Sequence, residues 1–560
     1  MKLKPQQSST LTHDTLMEFN LKTKMRDGVR LSTDVYRPSG KGRWPVILIR
    51  TPYSNNDDAF LDFGKKFAGW GYAVAIQDVR GRHDSEGEWY PSKNEGPDGF
   101  DTLKWLDHQS WSNRRVGMTG GSYNAMVQWD VAVLKPPNLK AMISMVCPSD
   151  LFINCWYRRG TLGWGDTIRW LVHVDGRVNQ NLLAYNMRDI YGHVPFTTVD
   201  EAVGRRVGFW RDWMKHQTYD SYWKASSYHD HYSRIDVPVL HISGWYDDCA
   251  DGNIRNYVGM KTSGGSERAR ESQRLVFGPW PHRINQARKL GEIDFGPDAL
   301  VDLHELQKRW FDFWLKGEDN GVMDEKPVSI FVMGLNKWRE EQTWPILRAK
   351  SAKLYLHSGG HANSLSGNGW LSEHPPSSKE SRSDEYDYDP DNPCPSPVGV
   401  NEPDDRRPAE RRDDVLVYNT KALTRPILVT GNVVLELFAS SSARDTDFAA
   451  HLVDVYPNGY AHPVADGILT ARYRSSLVKP SPLVPGEVTK FEIDLWHTSN
   501  MFLKKHKIRI EISSADFPRY ARNMNTGKPY GTDLKSLTAH QKILHEPKHL
   551  SHVRLPIVRP

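Results

Sequence analysis

The sequence predicts an α/β domain built on a buried, largely parallel sheet, with a helical insertion, followed by an antiparallel β-sandwich. Three observations carry this expectation. Short apolar runs ("PVILIR", "YAVAIQDV", "VGMTG", "AMISMV", and much later "PVLHISG" and "RLVFG") are separated by helix-compatible stretches, as strands buried on both faces are. The segment between Met145 and Val239 is aromatic-rich and far longer than an ordinary sheet connection. From about Val328 onward, alternating runs bounded by Gly, Pro, Asn and Asp follow one another with no helical pattern between them.

Each element follows from local chemistry. "LKTKMRDGVRLSTDVYRP" alternates on either side of Asp27-Gly28, a strong signal for a tight hairpin. "GFDTLKWLDHQ" has helical composition and precedes the strand-like "RVGMTG". "WYRRGTLGWGDTIRWLVHVDGRVNQNLLAYNMRDI" reads as an inserted helical cap. In "VDLHELQKRWFDFWLKG", Leu306, Trp310, Phe313 and Trp314 recur at helical spacing and stop at Gly317, which predicts the helix that closes the first domain. Next come "VSIFVMG", "AKLYLHS", "DVLVYNT", "NVVLELFASS", "DFAAHLVDVY", "KFEIDLWH" and "HKIRIEISS", read as sandwich strands. A polar stretch from Gly359 to Asp413 reads as one long surface loop among them. The expected boundaries are residues 1–147 and 236–325 for the two parts of the α/β domain, 148–235 for the cap and 326–560 for the sandwich.

Composition narrows the partners. A chain of 560 residues exceeds what one compact core organises. With 73 basic and 68 acidic residues the formal charge is only +5, without a long basic run, so neither nucleic acid nor a membrane surface is indicated and a small soluble substrate fits. "MKLKPQQSSTLTHDTLMEF" has two lysines but no apolar stretch behind them, and no later run approaches the roughly 20 apolar residues of a membrane span. Cys147, Cys155, Cys249 and Cys394 are scattered with no C-x-x-C pair, which points to a reducing, cytoplasmic setting while leaving one disulfide open. The 22 histidines include no H-E-x-x-H, and no G-x-G-x-x-G follows a strand, so no metal and no cofactor are expected.

"MTGGSYNAM" raises the question of chemistry. Ser122 lies between the strand-like "RVGMTG" and the helix-like "AMVQWDVAVL", the strand–turn–helix context of a serine nucleophile. Gly120 and Gly121 supply permissive backbone before it, and Asn124 is the next most permissive residue where the usual G-x-S-x-G has glycine. On its own the stretch is more often a structural turn, because Gly-Gly-Ser is common in loops. Its partners shift the balance. "PVLHISGWYDD" puts Asp247 just beyond one buried strand and "RLVFGPWPH" puts His282 just beyond the next, in the chain order Ser, Asp, His. A histidine that takes the serine proton and a carboxylate that orients the imidazole are what a weakly nucleophilic hydroxyl requires.

At these residues the chain resembles the α/β-hydrolase family that includes cocaine esterase, α-amino acid ester hydrolases and X-prolyl dipeptidyl peptidases. The resemblance covers nearly the whole chain and is carried by "RDGVRLSTDVYRP", "ILIRTPY", "QDVRGRHDSEGEWYP", "EGPDGFDTLKWLDHQSWSNRRVGMTGGSYNAMVQW", "GWYD", "GPWPH" and "SSADFPRYARNMNTG". It implies an α/β-hydrolase catalytic domain with an inserted helical cap and a C-terminal jelly-roll sandwich, with Ser122, Asp247 and His282 as catalytic triad. It implies an oxyanion hole from the Tyr53 hydroxyl and the Tyr123 N–H, donors each worth roughly 3–4 kcal/mol. Trp156 and Trp170 fall near the family's acyl-pocket tryptophans, with cap core as the alternative role. Cys249 and Ala250 stand where amino-acid-specific members carry acidic residues, so binding of a free α-amine is not indicated. Paired sandwich faces in relatives make a homodimer one compatible assembly. The expected activity is serine hydrolysis of a small carboxylic ester or amide through an acyl-enzyme. The alternatives are an X-Pro dipeptidyl aminopeptidase, amidase or acyltransferase on the same triad, and, from another class, a non-catalytic binding protein.

Overall fold

The computed structural model describes residues 3, 10–377, 383–396 and 403–559. Its first sheet has ten strands. They are β1 (Thr15–Lys24), β2 (Arg30–Pro38), β3 (Trp44–Thr51), β4 (Ala73–Asp78), β5 (Ser112–Gly121), β6 (Leu139–Met145), β7 (Val239–Tyr246), β8 (Gln273–Pro281), β9 (Val328–Val332) and β10 (Lys337–Glu341). The spatial order is β1-β2-β4-β3-β5-β6-β7-β8-β9-β10. Pairs from β4 through β9 are parallel, and antiparallel strands close both edges. The apolar runs read in the sequence are these parallel strands: β4 and β8 are buried at every position. The hairpin at Asp27-Gly28 forms as expected, with Gly28 at φ 92°.

Helices cover both faces. On one lie α1 (Asp58–Gly69) and a later helix (Leu303–Phe311), whose Phe63, Phe67, Trp310 and Phe311 pack on the sheet. On the other lie α2 (Glu95–Asp107) and α3 (Tyr123–Ala132), and their core, including Leu103 and Trp129, continues into Trp164 and Trp213 of the insertion. The insertion between β6 and β7 consists of short helices, chiefly α4 (Gly165–Val174) and α5 (Gly208–Lys215), and a small hairpin of Tyr157–Arg158 with Thr161–Leu162. The helix from Leu303 ends in a wider turn over Asp312–Lys316 and stops at Gly317, φ 79°, a left-handed cap.

The second body is a β-sandwich organised around the long strand Ile427–Ser441, which pairs with Thr489–Phe502, Ala539–Glu546 and His552–Ile557. Two sequence expectations change here. Val328–Val332, read as a sandwich strand, instead extends the first sheet parallel to β8. Period-two alternation marks a strand but does not say which sheet it joins, and this one is buried throughout. Nor is Gly359–Asp413 a single loop. Within it Ser383–Tyr388 pairs with Ala539–Glu546, burying Asp384, Tyr386 and Tyr388 on its inner face, so its polar composition hides a half-buried edge strand. Residues 378–382 and 397–402 of that stretch lie outside the described residues. Among the described residues no helix is long and apolar enough to cross a membrane.

A buried ion pair ties the sheet to the helix that carries Ser122 at its N-terminal end. Arg50 of β3 and Glu95 of α2 are both buried, with Arg50 Nη1 2.9 Å from Glu95 Oε2. Arg50 also donates to Gln77 Oε1 of β4 at 2.9 Å, and Glu95 accepts from the Tyr123 hydroxyl at 2.9 Å. Deleting one member leaves an uncompensated buried charge, which is worth about 3–5 kcal/mol. Glu95→Ala is therefore expected to lower unfolding free energy in chemical denaturation by about that amount. A loss below about 1 kcal/mol, the range of an exposed pair, would show that the pair is not structural.

Candidate active site

The site forms at the carboxyl ends of the parallel strands, where the sheet register brings distant residues together. Gly121 at the end of β5 pairs with Met145 of β6, and Met145 with Ile242 of β7. Tyr246 of β7 pairs with Pro281 of β8. The next residues along those two strands are Asp247 and His282, so adjacent strand ends deliver them side by side.

Ser122 sits between β5 and α3 with φ 59° and ψ −126°, a conformation that a residue with a Cβ holds only when its surroundings enforce it. Here the Ser122 N–H donates to Met145 O at 3.0 Å, and its carbonyl accepts from the N–H groups of Ala125 (2.9 Å) and Met126 (3.1 Å). Gly120 cannot be replaced at this turn: an added Cβ would come within 2.6 Å of Asn124 Cβ. The permissive backbone that the motif spacing places at Asn124 belongs to Ser122, at positive φ, and Asn124 is a buried residue in the first turn of α3. The helix begins immediately at Tyr123, so the turn closes sooner than the motif spacing implies.

His282 Nδ1 lies 2.8 Å from Asp247 Oδ1, in hydrogen-bond geometry. Asp247 is fully engaged: it also accepts from the Cys249 N–H at 3.0 Å and from the Ser243 hydroxyl. Asp248 Oδ1 is equally close to Nδ1, at 2.8 Å, but forms no hydrogen bond with it, and acts on the ring as a charge. Burial opposes the charged imidazolium. The Asp248 charge and the bond to Asp247 overcome it and hold the His282 pKa well above the usual histidine value. Asp248 itself is shifted down: burial works against the carboxylate, but the His282 and Arg158 charges outweigh it.

Ser122 and His282 line one cavity of about 220 Å³. Trp156, Trp170 and Cys249 line it too. Trp156 and Trp170 lie with ring centroids 4.5 Å apart, and Trp170 also packs on Tyr123 at 6.0 Å. Trp170 has a second task, because its Nε1 donates to the Tyr53 hydroxyl at 2.8 Å. With that donor on its oxygen, Tyr53 still has its own proton to donate. Burial pushes the Tyr53 pKa up to about 12, so the donor stays protonated at neutral pH. The Tyr123 N–H begins α3 and has no acceptor within the helix.

Several residues at the site escaped the sequence reading. Arg82, fully buried, donates to Pro52 O and Val174 O at 2.8 Å and to Asn179 Oδ1 at 2.6 Å, and Asn179 donates to Tyr53 O at 2.7 Å. It bolts the end of α4 to the Tyr53 loop. Asp166 of α4 also reaches the cavity wall, where burial and then the Asp248 charge raise its pKa to about 6. From the sandwich, Arg519 and Tyr520 of "DFPRYAR" complete the lining. Arg158 also lines the cavity and faces Asp248 at 3.6 Å, and Arg159 faces Asp494 at 3.6 Å. Asp78 accepts from the Asn55 N–H and Arg80 pairs with Asp98 at 2.6 Å and Asp27 at 2.7 Å, which are bracing roles.

Comparison with known proteins places the chain among hydrolases. Residues 27–283 match the model of the X-Pro dipeptidyl-peptidase (S15 family), and residues 320–554 that of the X-Pro dipeptidyl-peptidase C-terminal non-catalytic domain. The chain is 37% identical to cocaine esterase of Rhodococcus sp. (strain MB1 Bresler), over 96% of this chain and 98% of that one. Among solved structures it resembles an α-amino acid ester hydrolase (TM-score 0.86, 25% identity, 99% of this chain and 98% of that one). An aminopeptidase from a marine sediment archaeon, Thaumarchaeota archaeon, matches equally, with TM-score 0.86 and 25% identity over the same shares.

The paired carboxylates generate a pH prediction. A negative charge beside the imidazole stabilises its protonated form, and the free base is the form that can accept a proton. Asp248→Asn is expected to lower the His282 pKa and move the acid limb of the kcat/KM profile to lower pH. An unmoved or upward-shifted limb would mean that Asp248 does not act on the imidazole.

Proposed function

The chain belongs to the X-Pro dipeptidyl-peptidase (S15) family that includes cocaine esterase, and is a serine hydrolase of ester or amide substrates; from that premise we propose a carboxylic ester hydrolase for small acyl or aryl-acyl esters, working through an acyl-enzyme. One observation carries the assignment of roles: a serine on a strained strand-to-helix turn shares a cavity with an imidazole whose Nδ1 bonds to a buried carboxylate. Ser122 Oγ attacks the carbonyl carbon while His282 Nε2 takes its proton. Asp247 holds the Nδ1–H and so the tautomer that leaves Nε2 free. The developing oxyanion accepts from the Tyr53 hydroxyl and the Tyr123 N–H. His282 then returns the proton to the departing alcohol, and water repeats the sequence on the acyl-enzyme. Trp156 and Trp170 offer flat apolar walls to an acyl or aryl group, with Cys249 beside them. The four cysteines carry free thiols, which supports a reducing, cytoplasmic compartment.

A second reading, cleavage of X-Pro dipeptides or related amides, has the family description behind it and one further observation. Asp166 puts a carboxylate on the cavity wall where a substrate ammonium could be met. Parallel assays with aryl esters and X-Pro anilides separate the two. The ester reading expects kcat/KM to be higher for the esters, and faster turnover of the anilides would replace it with the peptidase reading.

A further inference from the structure

Around the imidazole the fold gathers a donor set that hydrolysis does not use in full. Asp247, Asp248 and Cys249 are consecutive in the turn between β7 and the helix Ala250–Ser263, and His282 arrives from the end of β8. One ligand atom from each lies within 4.8 Å of all the others. Tetrahedral zinc with bonds of roughly 2.0–2.3 Å needs donors about 3.3–3.8 Å apart, so side-chain movements on the order of 1 Å would close the set. The types are also suitable: a thiol, an imidazole and carboxylate oxygens suit a borderline-soft cation rather than magnesium or calcium.

Asp248 adds a more specific indication. Its Oδ2 faces Arg158, but its Oδ1 is buried without a hydrogen-bond partner, 2.8 Å from His282 Nδ1. A buried carboxylate oxygen with unused lone pairs is what a cation would satisfy. The Arg158 charge opposes cation binding, although its guanidinium is held by a backbone carbonyl and an aromatic face as well as by Oδ2. It donates to the Asp248 backbone carbonyl, and its guanidinium lies 4.4 Å from the Trp496 ring centroid. A second thiol, Cys155, lines the same cavity as Cys249.

We propose that Asp248, Cys249 and His282, with Asp247 beside them, form a binding site for a soft divalent cation of the Zn²⁺ class, and that filling it reversibly stops hydrolysis. The Cys249 thiol releases its proton to solvent as the metal–sulfur bond forms, and the single ring proton of neutral His282 moves by way of solvent from Nδ1 to Nε2 as the metal–nitrogen bond forms, with no change in oxidation state. With Nδ1 on the metal, the neutral ring carries its proton on Nε2, which can no longer accept one from Ser122. Only this inhibitory consequence rests on the hydrolase roles proposed above; binding does not.

The test titrates the EDTA-treated full-length enzyme with Cd²⁺, following the ultraviolet thiolate-to-metal absorption, with Zn²⁺ as competitor and ester hydrolysis measured alongside. The expected result is a band that saturates at one equivalent, is displaced by Zn²⁺ and disappears in Cys249→Ser, together with Zn²⁺ inhibition reversed by EDTA. Asp248→Asn, which keeps the thiol, is expected to weaken both effects about ten-fold or more. The band is expected to persist in Ser122→Ala, where binding is read without hydrolysis, so failure of the serine mechanism leaves this result readable. No band in the wild type, or equal band and equal inhibition in Cys249→Ser, would overturn the site.

Discussion

The backbone of Ser122, held at φ 59° and ψ −126°, sets the rest of the site, because only in that conformation does the chain leave β5, present a side chain and enter α3 within one residue. The strain is carried by neighbours rather than by the serine. Met145 O accepts its N–H, the first turn of α3 bonds to its carbonyl, and Gly120 leaves room that a side chain would fill. Behind the turn, Tyr123 hangs from Glu95, and Glu95 from Arg50, so a buried ion pair in the body of the sheet fixes where the helix begins. A residue in a sparsely populated conformation persists only where the structure over-determines it, and here packing, hydrogen bonds and an ion pair all do so.

The insertion is joined to the same centre by polar contacts as well as by its apolar core. Trp170 of α4 reaches back to the Tyr53 hydroxyl, and Arg82 and Asn179 fasten the end of α4 to the loop that carries Tyr53. Movement of α4 would therefore shift a candidate oxyanion donor and the pocket wall together. Electrostatics tightens the site from the other side. Two adjacent carboxylates face one imidazole nitrogen at 2.8 Å, but only Asp247 takes the hydrogen bond. This division of labour gives one carboxylate the ring's orientation and the other its charge, and it leaves an oxygen of Asp248 without a donor.

How far the sequence could be read follows from where each signal resides. Strands buried on both faces announce themselves as continuous apolar runs, so β3 to β8 were legible, and so were the strand ends that carry Asp247 and His282, since each is the first residue past such a run. Alternation without an address misassigned Val328–Val332, and polar composition concealed the edge strand Ser383–Tyr388. Asn124 was misread because motif spacing does not report backbone angles. Arg82, Asp166 and the Glu95–Arg50 pair left no pattern at all: the meaning of each charged residue comes from partners 27 to 97 positions away or from a cavity wall. The cation-like donor set is invisible for a related reason, since three of its members are consecutive and the fourth is reached only through strand pairing.

The central claim is that Ser122 is the nucleophile that His282 activates. Treating the native chain with a fluorophosphonate and mapping the modified peptide tests it most directly. A single adduct on Ser122, no labelling of Ser122→Ala, and labelling of His282→Ala slowed by orders of magnitude are expected. Equal labelling of the native protein and Ser122→Ala, or an adduct mapped to another serine, would contradict it.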